Sequence, residues 1–128
     1  MNTPTVLVIE DDYDSRDMVC EWLRQHGYRC IGAVDGRDGL TRLEELPQLS
    51  LILLDLMMPG MSGWQFRAIQ RDHSRYGSVP VVVLTAHANP HAESQSLGAQ
   101  DVLMKPLDLR TLLKVVLRYA GPAPEAVR

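Results

Sequence analysis

The sequence has no surplus of positive charge: 13 Lys and Arg stand against 16 Asp and Glu, for a net charge of −3 and an isoelectric point near 5.7. That balance excludes the basic footprint of a nucleic-acid surface or an anionic-membrane binder. No window approaches the roughly 18 consecutive apolar residues that a membrane-spanning helix needs. Cys20 and Cys30 lack CxxC spacing and stand in apolar contexts, so they read as reduced core thiols of a cytoplasmic protein. The start, Met1-Asn2-Thr3-Pro4, has no basic n-region or cleavage site and reads as carrying no secretory signal. With 128 residues, 45% of them apolar and 23% charged, the chain can form one domain whose core needs no disulfide or metal.

What the sequence does have is centred on Leu51-Ile52-Leu53-Leu54-Asp55-Leu56-Met57-Met58-Pro59-Gly60-Met61-Ser62-Gly63. An unbroken apolar run stops at a carboxylate, and turn residues follow. Such a run reads as a strand buried on both faces of a parallel sheet. Ligands and chemistry collect just beyond the carboxyl ends of strands in open parallel sheets. Alone, Asp55 reads equally well as the first polar residue of a turn.

The rest of the chain repeats strand and then helix. Thr5–Ile9 is a β-branched run followed by Glu10, Asp11 and Asp12, and a helix over 13–26 carries Met18, Val19, Trp22 and Leu23 at helical spacing, stopped by Gly27. A second strand over 28–34 leads to a helix over 37–46 with Leu40, Leu43 and Leu46 on one face. Ser62 caps a third helix running to about residue 73 and opening with Trp64, Phe66, Ile69 and Gln70. Val81, Val82, Val83 and Leu84 form a fourth strand ending at Thr85-Ala86. A weak helix follows over 88–97, with Pro90 near its start, and then a short strand over 102–104 ending at Lys105-Pro106. Asp108 caps a last helix over 109–119, with Leu112, Leu113, Val116 and Leu117 as its expected buried stripe. The residues from 121 onward read as a flexible tail beyond a domain over 1–120. The alternation predicts an α/β fold: five parallel strands with helices on both faces, a (βα)5 doubly wound, flavodoxin-like sheet.

All the strand ends of a parallel sheet lie along one edge. Glu10, Asp11, Asp12, Asp55, Thr85 and Lys105 would therefore share one cleft. Close carboxylates repel unless a cation joins them, and an all-oxygen cluster suits Mg²⁺. A carboxylate framed by a metal, an ammonium and a hydroxyl can act as a nucleophile toward phosphorus. Taken singly, Lys105 is a solvated lysine and Thr85 a strand-end hydroxyl, and Asp12 is better read as a helix cap than as a metal-site acid.

The ordered set Glu10-Asp11, Asp55, Thr85-Ala86 and Lys105-Pro106, with Met58-Pro59-Gly60-Met61-Ser62-Gly63 after the aspartate, resembles the receiver domain of two-component response regulators over roughly residues 4 to 120. The resemblance implies that Asp55 accepts a phosphoryl group from a sensor histidine kinase or histidine phosphotransfer protein. It implies Asp11 as a direct Mg²⁺ ligand, Glu10 as one acting through water, and the Met57 carbonyl as completing the protein's share. Thr85, the Ala86 amide and Lys105 would hold the phosphoryl oxygens, with Met57 at the rim. A cis peptide between Lys105 and Pro106 would aim the lysine. The result would be a switched interaction with a downstream effector protein, without direct nucleic-acid or membrane contact, and turnover of no external substrate. A phosphorylation-independent interaction module on the same fold is the alternative.

Three departures from the family pattern stand out. Val102 occupies a position where many receivers carry Tyr or Phe, which puts the usual threonine–aromatic coupling in doubt. Asn89-Pro90 falls in the fourth helix. Met57 and His87 sit at rim positions that influence access of water to an acyl phosphate. His87 and His91 read as surface residues, Trp22 as core, and Trp64 as either near the cleft or half-buried packing. By family analogy, Ser15, Met18 and Val19 mark a kinase-selecting surface. No output module follows Tyr119, and the start at Met1 reads as that of an independent or N-terminal receiver.

Overall fold

The computed structural model describes residues 3–86 and 97–124. Its strands are β1 (Thr5–Ile9), β2 (Arg29–Ala33), β3 (Leu51–Asp55), β4 (Val81–Thr85) and β5 (Asp101–Met104). The described helices are α1 (Tyr13–Gln25), α2 (Gly36–Glu45), α3 (Gly63–Arg71) and α4 (Leu109–Ala120). All strand pairs are parallel, in the order β2-β1-β3-β4-β5. This is the doubly wound flavodoxin-like sheet that the alternation predicts. The fourth helix expected over 88–97 lies, except for Leu97, outside the described residues, as do Asn89, Pro90, His87 and His91.

Alternation along the buried strands divides the core into two layers. Val6, Val8, Leu51, Leu53, Val82 and Leu84 face α1 and α4, joining Val19, Leu23, Leu112 and Val116. Leu7, Ile9, Ile52 and Leu54 face α2 and α3, joining Leu43 and Phe66. Side chains on the two faces come from successive residues, so an unbroken apolar run is what a strand covered on both sides requires. Among the described residues, no helix is long and apolar enough to cross a membrane.

Helix ends follow their local chemistry. Asp12, Asp35, Ser62 and Asp108 each accept a backbone N–H of the first turn, satisfying donors that have no partner inside the helix. Ser62 and Gln65 complete a reciprocal capping box.

Two helix faces differ from expectation, and α3 buries a polar pair. In α4, Leu112, Val115 and Val116 are buried whereas Leu117 is 51% exposed. The helix is phased by Leu109, Leu112, Val116 and Tyr119, of which the two partly buried ones also pack on the core. In α3 the polar Arg67 and Gln70 are buried and Ile69 is half-exposed. Arg67 donates to the carbonyls of Leu97 (3.0 Å) and Gly98 (3.3 Å) and to Gln70 Oε1, and Gln70 donates to the Tyr76 carbonyl. These backbone acceptors make a hydrogen-bonded seat for a guanidinium that an isoleucine could not fill. In α1, Val19 is 1% exposed and packs in the core, so the kinase-selecting surface proposed for Ser15, Met18 and Val19 excludes Val19; Met18 is exposed.

The last described residues lie against the start of β2. The Tyr28 hydroxyl donates to the Gly121 carbonyl at 2.6 Å, and Ala123 packs on the α1–α4 side of the core.

Candidate functional site

The sheet order reverses between β1 and β3, the switch point where a doubly wound fold opens a crevice at its carboxyl edge. Ile9 pairs with Leu54, so Glu10 leaves β1 level with Asp55 at the end of β3. Asp55 pairs with Leu84, which puts Thr85 and Ala86 one step further along, and Thr85 pairs with Met104, which puts Lys105 just past β5. The strand ends thus deliver acids, a hydroxyl and an ammonium to one edge.

Glu10, Asp11 and Asp55 each offer a carboxylate oxygen, and these atoms lie within 4.8 Å of one another. Glu10 is 2% and Asp55 4% exposed, whereas Asp11 is open to solvent. Lys105 Nζ pairs with Glu10 Oε1 at 2.5 Å and with Asp55 Oδ2 at 3.5 Å. Burial, with Asp55 beside it, pushes the Glu10 carboxyl above the usual carboxylate range despite the lysine. Desolvation works against the Lys105 ammonium, but the bond to Glu10 and the field of both carboxylates outweigh it and hold its pKa above the ordinary lysine value. The Lys105–Pro106 peptide is cis. Thr85 is buried and its carbonyl accepts the Lys105 amide at 2.8 Å, while Ala86 is exposed.

The loop after Asp55 is folded back onto it. Met57 N–H donates to Asp55 Oδ1 at 3.2 Å while its side chain is exposed. Gly63 N–H donates to the Leu56 carbonyl at 3.1 Å. A Cβ at Gly63 would stand 2.8 Å from the Asp55 carbonyl oxygen, so only glycine lets the first turn of α3 come this close. Gly60, with φ +75°, makes the reversal in between.

Asp12 stands apart from the acids. Its Oδ2 accepts Ser15 N–H at 2.9 Å as the N-cap of α1, and the Ser15 hydroxyl and amide hold its carboxyl below the usual range. Asp12→Ala is therefore expected to lower the denaturant midpoint slightly and to leave Mg²⁺ affinity, measured by calorimetry, unchanged.

Arg16 belongs to the site's frame and carries no motif in the sequence. Its Nη1 donates to the Glu10 carbonyl at 2.7 Å and its guanidinium lies over the Tyr13 ring. The one signal for it is position: one turn into a helix that starts directly after the acids. Trp64 and Val102 both pack in a small cluster with Leu56, Val83 and Leu97, which makes Trp64 a packing residue beside the β3–β4 end of the sheet.

The family model for the response regulator receiver domain matches residues 6–117. The chain belongs to the response regulator receiver domain family. As a receiver it is 38% identical over 122 residues to the phosphate regulon transcriptional regulatory protein PhoB of Escherichia coli, covering 91% of this chain and 53% of that protein. It is 35% identical to the DNA-binding dual master transcriptional regulator RpaA of Synechocystis, over 98% of this chain and 54% of the relative. The receiver spans about half the length of these curated relatives. Among solved structures, the chemotaxis protein CheY4 of Vibrio cholerae superposes with a TM-score of 0.85 at 32% identity, covering 92% of this chain and 99% of that one. The acid cluster of Glu10, Asp11 and Asp55 fits the Mg²⁺-dependent, aspartate-phosphorylated site of a response regulator receiver.

Proposed function

We propose that Asp55 is the phosphoacceptor of this receiver and that Glu10, Asp11, Asp55 and the Met57 carbonyl hold Mg²⁺. The observation that carries this reading is the convergence of three carboxylates within 4.8 Å, two of them bridged by Lys105 Nζ. The all-oxygen donor set is the chemistry that Mg²⁺ takes, with the remaining positions left to water and phosphate. Bound there, Mg²⁺ supplies charge neutralisation to the phosphoryl group in transfer.

An Asp55 carboxylate oxygen attacks phosphorus, the bond from phosphorus to the donor's imidazole nitrogen breaks, and an acyl phosphate remains on Asp55. Lys105, already within 3.5 Å of Asp55, turns its ammonium to a phosphoryl oxygen. Thr85 and the Ala86 amide take the others. The Met57 amide, bonded to Asp55 Oδ1, fixes the rotamer of the nucleophile. The added charge of about −1.5 to −2 biases a two-state equilibrium that an effector protein reads.

The donor is a histidine kinase or histidine phosphotransfer protein. It has a concave approach of about 530 Å³ lined by Ser15, Met18, Ala86, Lys105, Pro106 and Leu107. Lys105 belongs both to this hollow and to the acid cluster, so a phosphohistidine seated in the hollow reaches Asp55. The chemistry is confined to the domain's own phosphorylation and dephosphorylation, and it takes place in the cytoplasm. Intact mass after incubation with acetyl phosphate tests the reading. One phosphoryl group should be gained with Mg²⁺ and none without it or in Asp55→Asn. A folded, Mg²⁺-binding protein that gains nothing from acetyl phosphate or from any phosphohistidine donor would instead support a docking module that works without phosphorylation.

A further inference from the structure

Cys20 and Cys30 stand ten positions apart with no recognisable motif, yet the fold brings their sulfurs together. Cys20 lies on the buried side of α1 and Cys30 in β2, beside Val6 of β1. Their Sγ atoms are 2.9 Å apart, with 4% and 2% exposure, and both thiols are free. Non-bonded carbon atoms rest at about 3.5–4.0 Å, so two sulfurs at this distance are in tighter contact than ordinary packing gives. A covalent S–S bond is about 2.05 Å long, and closing the remaining gap requires a shift under about 1 Å. The rest of the core cluster around them is aliphatic and aromatic, so each sulfur's nearest reactive group is the other sulfur.

We propose that Cys20 and Cys30 are a redox-modifiable dithiol that a peroxide closes to an intramolecular disulfide joining α1 to β2. The two sulfurs have unequal roles. Cys30 donates its S–H to Cys20. That bond, together with the nearby guanidinium groups of Arg24 and Arg16, holds the Cys20 thiol below its ordinary range, while donation and burial push Cys30 well up. Arg24 is fixed close by, its Nη2 donating to the Cys30 carbonyl at 2.8 Å. Thiolate character decides which cysteine a peroxide oxidises first, and that is Cys20.

The Cys20 thiolate attacks one peroxide oxygen, the O–O bond breaks, and the departing hydroxide takes up the thiol proton as water. Cys20 becomes a sulfenic acid. The Cys30 sulfur then attacks the Cys20 sulfur, the S–O bond breaks, and the sulfenic oxygen leaves with the Cys30 proton as a second water. In sum, two thiols and one hydrogen peroxide give one disulfide and two waters. Both groups are nearly covered, so the reaction proceeds through local opening of the C-terminal half of α1. Reduced resting thiols agree with a reducing compartment, where disulfides are transient and redox-sensing.

Peptide mapping tests the proposal on the folded wild-type protein. The protein is exposed to hydrogen peroxide, blocked with N-ethylmaleimide in denaturant and digested with trypsin. Cleavage after Arg16, Arg24, Arg29 and Arg37 places the two cysteines on separate peptides, 17–24 and 30–37. The expected product is one linked species with the mass of both peptides less two hydrogen atoms. It should form at a yield independent of protein concentration, separate on reduction with dithiothreitol, and be absent in Cys20→Ser and in Cys30→Ser. Recovery of both cysteines as maleimide adducts, separate sulfinic acids on each, or links only between chains would overturn it. The wild-type map decides the matter even if a serine variant fails to fold.

Discussion

Asp11→Asn is expected to weaken Mg²⁺ binding by about tenfold or more, since even groups that only orient metal ligands are worth about 10–100-fold in affinity. In the absence of metal, the variant is expected to fold at least as stably as the parent. Both effects have one origin. Three carboxylate oxygens stand within 4.8 Å, and the ammonium of Lys105 reaches Glu10 and Asp55 but has no ion pair with Asp11 among the described contacts. The exposed Asp11 therefore adds repulsion to the metal-free site and attraction to a divalent cation. Calorimetric titration with Mg²⁺ measures the first effect and urea unfolding in chelator the second. Unchanged affinity would remove Asp11 from the metal's donor set.

Phe66→Ala is expected to cost about 3–5 kcal/mol of stability. The only phenylalanine of the chain is fully buried in the layer between the sheet and the α2–α3 pair. Its ring fills the space above Gly39: a Cβ added there would stand 3.0 Å from Phe66 Cε1 and 2.6 Å from Ile9 Cδ1. Helix α2 therefore approaches the sheet on a glycine and leans on the ring, and neither side can collapse into the hole that alanine leaves. The urea midpoint should fall with the slope unchanged. A loss below about 1 kcal/mol would mean that the layer repacks around the cavity.

The strands could be read from sequence because they are covered on both faces. The apolar runs of β1, β3 and β4 each stop at the residue where the chain leaves the core, so Glu10, Asp55 and Thr85-Ala86 mark the sheet's edge in the sequence itself. The parallel order then brings the ends of different strands to one place, which is why Lys105, far from Asp55 along the chain, could be joined to it. Helix faces were less legible. In α4 a stripe through Leu112, Leu113, Val116 and Leu117 and one through Leu112, Val115, Val116 and Tyr119 both satisfy a periodicity count. Contact with the core takes in Leu112, Leu113 and Val116 of the first stripe together with Val115 and Tyr119 of the second, and leaves only Leu117 outside. In α3 a rule that buries apolar residues favours Ile69, but the carbonyls of Leu97 and Gly98, supplied by a distant segment, make the seat for Arg67. Cys20 and Cys30 meet for a similar reason: their proximity depends on how α1 lies across β2, which the spacing of the two residues does not encode.

Borohydride trapping tests most directly whether Asp55 carries the phosphoryl group. An aspartyl phosphate is reduced to homoserine, whereas a free carboxylate is untouched. After acetyl phosphate and Mg²⁺, then borohydride, tandem mass spectrometry of the tryptic digest should find homoserine at position 55 and aspartate at position 11, with no conversion when Mg²⁺ is left out. Homoserine at position 11, or an intact aspartate at position 55 in protein that has gained a phosphoryl mass, would contradict the assignment.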